Sequence, residues 1–72
     1  MIHSKAQFVA TTLANDEASS DGDLVEHFMG ELKIDSRRAA RLVAMRQQYL
    51  LLALGFGQEA GLLRQVQAIL EG

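Results

Sequence analysis

At 72 residues the chain has room for one domain and no second core. Its 49% hydrophobic and 22% charged residues exclude the composition of a disordered chain, and a net charge of −2 argues against broad attraction to nucleic acid. No cysteine occurs, which removes disulfides and thiolate metal sites and leaves oligomerisation as the reinforcement open to so small a domain.

The first helix is expected over residues 5–14. Ser4 with Gln7 three residues later is a capping-box pattern. Ala6, Val9, Ala10 and Leu13 recur at helical spacing as its buried stripe, with Phe8 toward the side. Residues 15–22 (NDEASSDG) are polar and read as a loop. Ser20 caps the second helix, and Asp21 and Asp23 suit the positive end of its dipole. Leu24, Val25, Phe28 and Leu32 form its apolar stripe, while Glu26, His27 and Glu31 face out.

A short turn through Lys33 and Ile34 leads to Asp35 or Ser36 as the cap of a third helix, expected over 36–54 with Gly55 as its left-handed stop. This helix is the least polar part of the chain. From 39 to 56 it reads AARLVAMRQQYLLLALGF, with no charge between Tyr49 and Leu54. A surface helix keeps a wet side, so this one is expected at the centre of the fold or covered by a second copy. The Ala39, Val43 and Leu50 stripe is assigned to the monomer core, and Leu51 and Leu52 point away from it. Gly57 opens the last connection, and the fourth helix, over 58–70, carries Leu62, Leu63, Val66, Ile69 and Leu70 at regular helical spacing. The expected fold is all-α: one compact domain over residues 1–72, a bundle of four short helices with the third central.

No site for chemistry assembles. With Gly22 at the sixth position of a calcium loop, the twelfth falls on Phe28 where glutamate is needed. His27 and Glu31 are one turn apart, but two ligands do not make a metal site, and His3 is expected to fray ahead of the first helix. Gly55-Phe56-Gly57 lacks the lysine and the strand of a phosphate loop. No catalytic residue, metal or cofactor is expected, and the enzyme reading is set aside.

The stretch LVEHFMGELKIDSRRAARLVAMR, residues 24–46, resembles the helix-turn-helix pattern of DNA-binding domains over about a third of the chain. The resemblance implies Leu32 and Ile34 as the turn's apolar anchors. It also implies Ser36, Arg37, Arg38 and Arg41 as the side chains that a recognition helix presents to bases and phosphates. The chain departs from the pattern at Met29, where a small residue lets the helices approach, and at Lys33, where the turn takes glycine. A helix reaching residue 54 is also longer than a recognition helix.

Arg46 falls inside the apolar arc of the third helix and must snorkel, pair within the chain with Glu26 or Glu31, or pair with a partner. The expected function is that of a non-enzymatic protein-binding regulator, adaptor or inhibitor, the last of a kind carried by phages or other mobile elements. Its partner-binding residues are expected to be Arg46, Leu51, Leu52, Gln58, Arg64 and Gln65, with a homodimer as the expected assembly. DNA binding through the second and third helices is the alternative. No stretch approaches the roughly 20 apolar residues of a membrane span. With no signal-peptide core near the start, the cytoplasm is the expected compartment.

Overall fold

A computed structural model describes residues 4–72; His3, expected to fray, lies outside them. Five helices follow in order: α1 (Lys5–Asn15), α2 (Asp21–Leu32), α3 (Ser36–Ala44), α4 (Arg46–Ala53) and α5 (Glu59–Glu71). No strand occurs among the described residues. The Cα radius of gyration is 11.3 Å, close to the roughly 11 Å of a compact domain this long, so no helix projects from the body.

Local chemistry fixes the first three helix starts. Ser4 Oγ accepts from the Gln7 amide at 3.1 Å, Ser20 Oγ from the Asp23 amide at 3.2 Å, and Asp35 Oδ1 from the Arg38 amide at 3.0 Å. Each bond satisfies one of the donors that a helix start leaves free. The structure thereby selects Asp35, not Ser36, as the third cap. Lys5 Nζ reaches the Leu32 carbonyl at 3.5 Å, placing a cation at the negative end of α2.

The expected helix over 36–54 is divided at Met45. There the backbone turns to φ −79°, ψ −4°, and the Met45 amide bonds to Leu42 O at 3.0 Å, a tighter three-residue closure. The division changes which side is buried. Ala39, Leu42 and Val43 are the buried face of α3, whereas Met45 and Tyr49, with half-buried Leu52, face inward afterwards. At about 100° per residue these two arcs are centred roughly a quarter turn apart. Leu50, assigned from the sequence to the core stripe with Ala39 and Val43, is accordingly 54% exposed.

The core is a single cluster drawn from all five helices. Val9, Leu24, Phe28, Leu42 and Val66 are its largest fully buried side chains. α2 packs most extensively on α3, and α1 packs against both α4 and α5. The expected stripe of α5 is confirmed at Leu62, Val66 and Ile69, while Leu63 and Leu70 are half-buried against the cluster.

Candidate functional site

Three surfaces emerge from this packing. The first is the end of α4 and the turn after it. The Gly55 amide bonds to Leu52 O at 3.0 Å and the Phe56 amide to Leu51 O at 2.9 Å, the paired closure of a Schellman stop. Gly55 takes φ +95°, a left-handed conformation that glycine adopts without a Cβ clash. Such a stop often packs the residue after the glycine onto the one bonded to it. Here that residue, Phe56, is nonetheless 65% exposed, with Leu54 at 68%. Leu50 and Leu51 are exposed beside them, so one short segment holds four of the large apolar side chains that face solvent. Leu52 turns inward and is half-buried against the core, separating it from Leu51. Gln58, Arg64 and Gln65 are all exposed.

The second surface is an open groove of about 700 Å³ between the 16–20 loop and the α3–α4 pair. Leu13, Val43 and Leu50 form apolar walls, and Asp16, Glu17 and Asp21 stand at its rim. Arg46 crosses it: one guanidinium nitrogen donates to Asp21 Oδ1 and another to the Asp16 carbonyl, both at 3.1 Å. The intramolecular partner is therefore Asp21, not Glu26 or Glu31. Asp21 is largely exposed, so the ion pair contributes little energy; together with the carbonyl bond it holds the loop against α4. Asp16 Oδ1 also accepts from the amides of Ser19 (2.9 Å) and Ala18 (3.1 Å). Chiefly the Ser19 bond holds this carboxyl below its ordinary range, and Arg46 adds to the effect.

Between α1 and α4 lies a smaller recess of about 310 Å³, into which Tyr49 is set beside Glu59. The Tyr49 hydroxyl is buried and has no hydrogen-bond partner. Burial pushes its ionisation up, and the Glu59 carboxylate pushes in the same direction.

The third surface is the outer side of α3. Ser36, Arg37 and Arg41 are exposed, and Arg38 is half-buried, lying back against Gly72. The charge is sharply divided along the chain. Residues 16–35 hold seven of the nine carboxylates, whereas 36–58 hold four arginines and no acid. Lys33 adopts φ 56°, ψ 47°, the left-handed conformation for which the helix-turn-helix pattern takes glycine. Met29 is exposed at 36% instead of wedged between the helices, and the division at Met45 shortens α3 to nine residues. The two departures at Met29 and in helix length thus do not obstruct that geometry.

His27 is exposed, yet its ring lies 5.7 Å from Phe8 and 6.0 Å from Phe28, centroid to centroid, in an aromatic group that includes Phe8 against Phe28 at 6.2 Å. No cluster of three metal-ligating side chains occurs among the described residues. No helix among them is long and apolar enough to cross a membrane. The groove was missed by sequence reasoning because its walls come from Leu13, Val43 and Leu50, which no local pattern connects. Arg46 was the available signal, since a charge inside an apolar arc marks a place where the arc is interrupted. Comparison with family models, curated proteins and solved structures found no match to this chain.

Proposed function

We propose that the protein is a non-enzymatic protein-binding module, a small regulator or adaptor that works by occupying a partner's surface. The observation that carries this reading is the exposure of Leu50, Leu51, Leu54 and Phe56 in one seven-residue segment. Four large apolar groups exposed within seven residues exceed the scattered single exposures ordinary on a monomer surface, and such concentrations mark interaction surfaces. Gln58, at the edge of this segment, supplies a polar rim. Arg64 and Gln65 lie farther along, on the exposed side of α5. Leu52 and Arg46 act behind the surface, the first as packing and the second by holding the loop.

A homodimer through the same segment belongs to this reading. The division at Met45 lets both halves of 36–53 bury a face within one chain, so the exposed segment, not an uncovered helix, is what a second copy would cover. Sedimentation equilibrium at micromolar concentration tests it, with parent and Leu54→Glu/Phe56→Glu compared. The variant is expected to stay helical by circular dichroism and to lose self-association and partner capture together. A variant that keeps both overturns the surface assignment.

DNA binding is the second reading, supported by the left-handed Lys33, the nine-residue α3 and the exposed Arg37 and Arg41. A gel shift repeated over a salt series separates the two. Phosphate neutralisation gives an affinity that falls steeply with salt. If the parent shifts a specific duplex and Arg37→Ala/Arg41→Ala does not, the DNA reading replaces the first.

A further inference from the structure

We infer that the groove between the 16–20 loop and the α3–α4 pair receives an amphipathic helix of a partner protein, apolar on the face it inserts and rich in lysine or arginine along its flank. The inference rests on the protein-binding reading, which supplies the adjoining surface through Leu50, and adds the chemistry of the occupant.

Charge complementarity selects the flank. Three carboxylates, Asp16, Glu17 and Asp21, rim the groove, and Arg46 is the sole cation lining it. Two of that guanidinium's nitrogens are already engaged within the chain, on Asp21 and on the Asp16 carbonyl, and its single charge offsets one carboxylate of the three. A surplus of negative charge therefore faces whatever enters. The backbone adds to it: Leu13 and Ala14, in the last turn of α1, form part of the wall, and that turn carries no basic residue to balance the negative helix end. The Asp16 carboxyl accepts the Ser19 amide at 2.9 Å, which fixes its position at the rim before an occupant arrives.

The apolar walls select the inserted face. Leu13 and Val43 are buried at the base, and exposed Leu50 stands at the mouth. An occupant made only of charge would leave these walls wet, and an acidic one would face like charge at the rim. The mode follows from the fold. Among the described residues there is no strand edge on which an extended segment could pair, whereas a trough between helical elements matches a helix laid in by its apolar stripe.

The test uses the full chain and three designed peptides of equal length. One is an amphipathic leucine/lysine helix, the second carries glutamate at every lysine position, and the third is a scramble of the first that keeps composition and destroys the stripe. Binding is followed by calorimetry and by amide shifts in heteronuclear NMR. The leucine/lysine helix is expected to bind, shifting the amides of Ala14, Ser19, Val43 and Leu50. The glutamate peptide and the scramble are expected to bind at least about tenfold more weakly, a difference of roughly 1.4 kcal/mol. Asp16→Asn/Glu17→Gln keeps the turn at Asp16, because asparagine accepts the same amide bonds, and is expected to lower affinity about tenfold. Leu50→Glu is expected to abolish binding while the far-ultraviolet spectrum stays helical.

Equal binding of the glutamate peptide overturns the charge argument and leaves the protein-binding reading standing. Equal binding of the scramble overturns the helix argument. Shifts confined to α3, insensitivity to Leu50→Glu, or no binding at all overturn the groove as the site. Loss of partner capture through Leu54→Glu/Phe56→Glu is a separate outcome that bears on the broader reading alone.

Discussion

The α1–α3 half and the α4–α5 half of this small molecule are built by different means. Ser4, Ser20 and Asp35 each bond a helix-start amide in the first half, whereas the starts of α4 and α5, at Met45 and Gln58, have no side-chain cap. Met29, at 36%, is the one large apolar side chain exposed in the first half among the described residues; in the second, Leu50, Leu51, Leu54 and Phe56 are exposed. Where caps fix the register locally, every apolar stripe is free to turn inward. Uncapped α5 still buries its stripe, but in uncapped α4 the apolar residues are shared between a core and a surface, and that shared stretch is where partner binding is proposed.

The largest way to break this comparison is to remove the core that both halves use. Phe28 is fully buried and sits among Phe8, His27 and the central cluster. Phe28→Ala is expected to cost about 3–5 kcal/mol, a large part of the stability of such a domain, and to leave little folded protein at 37 °C. Leu50→Ala, on an equally apolar but exposed side chain, is expected to stay within about 0.5 kcal/mol of the parent. Chemical denaturation measures both; similar losses would mean that Leu50 belongs to the core after all.

That contrast also marks what was legible in the sequence. The α1 and α2 stripes are legible because helical spacing and a capping serine agree at the same residues, and the α5 stripe because its spacing is regular even without a cap. The division at Met45 is not, because neither glycine nor proline marks it and methionine is a good helix former. On an unbroken helix Leu50 falls on the buried stripe and Arg46 lacks its true partner, whereas in the structure the arc of α4 is rotated from that of α3. The sequence places Asp21 in the first turn of α2, where it stands; that it also meets Arg46 depends on the loop folding back, a tertiary event with no local signature. The exposed apolar surface was anticipated at Leu51 but extends to Leu54 and Phe56, whose direction is set by the Gly55 stop.

Caps sharpen the comparison at the next scale. Ser20→Ala and Asp35→Ala are each expected to cost about 1 kcal/mol, because each leaves a helix-start amide without its acceptor. Gln58→Ala removes no cap and is expected to change stability by less than about 0.5 kcal/mol. Melting temperatures should divide accordingly, with about 4–8 °C lost per kcal/mol in a domain this size. A Gln58 variant that falls as far as the others would reveal a cap in α5 and weaken the distinction.

Tyr49 is the one buried polar side-chain atom without a partner among the described residues, and it lies in the uncapped half. Tyr49→Phe removes that unsatisfied hydroxyl and is expected to raise stability by about 1 kcal/mol at neutral pH. The sign with pH follows from burial and Glu59, which raise the hydroxyl's ionisation above the ordinary 10.0. The unfolded chain then releases its proton first, so the parent loses stability as pH rises past 10. The phenylalanine variant should lack that share of the loss. Equal alkaline slopes for the two proteins would mean that the hydroxyl is solvated in the folded state.

The smallest expected effect tests the boundary of the well-capped half. Lys33 ends α2 at φ 56° without being glycine, the one such residue among the described positions. A side chain in this conformation brings Cβ close to the following carbonyl, at a cost of about 1–2 kcal/mol. Glycine removes the clash but gains freedom in the unfolded chain, which returns about 0.5–1 kcal/mol of the advantage. Lys33→Gly should therefore stabilise by roughly 0.5 kcal/mol, near 2–4 °C in melting temperature. Lys33→Ala keeps the Cβ and should show no gain, so the pair of variants separates backbone strain from loss of the lysine charge. If glycine and alanine behave alike, the turn between α2 and α3 is not strained, and the conformation at Lys33 no longer supports the helix-turn-helix geometry over any other tight connection.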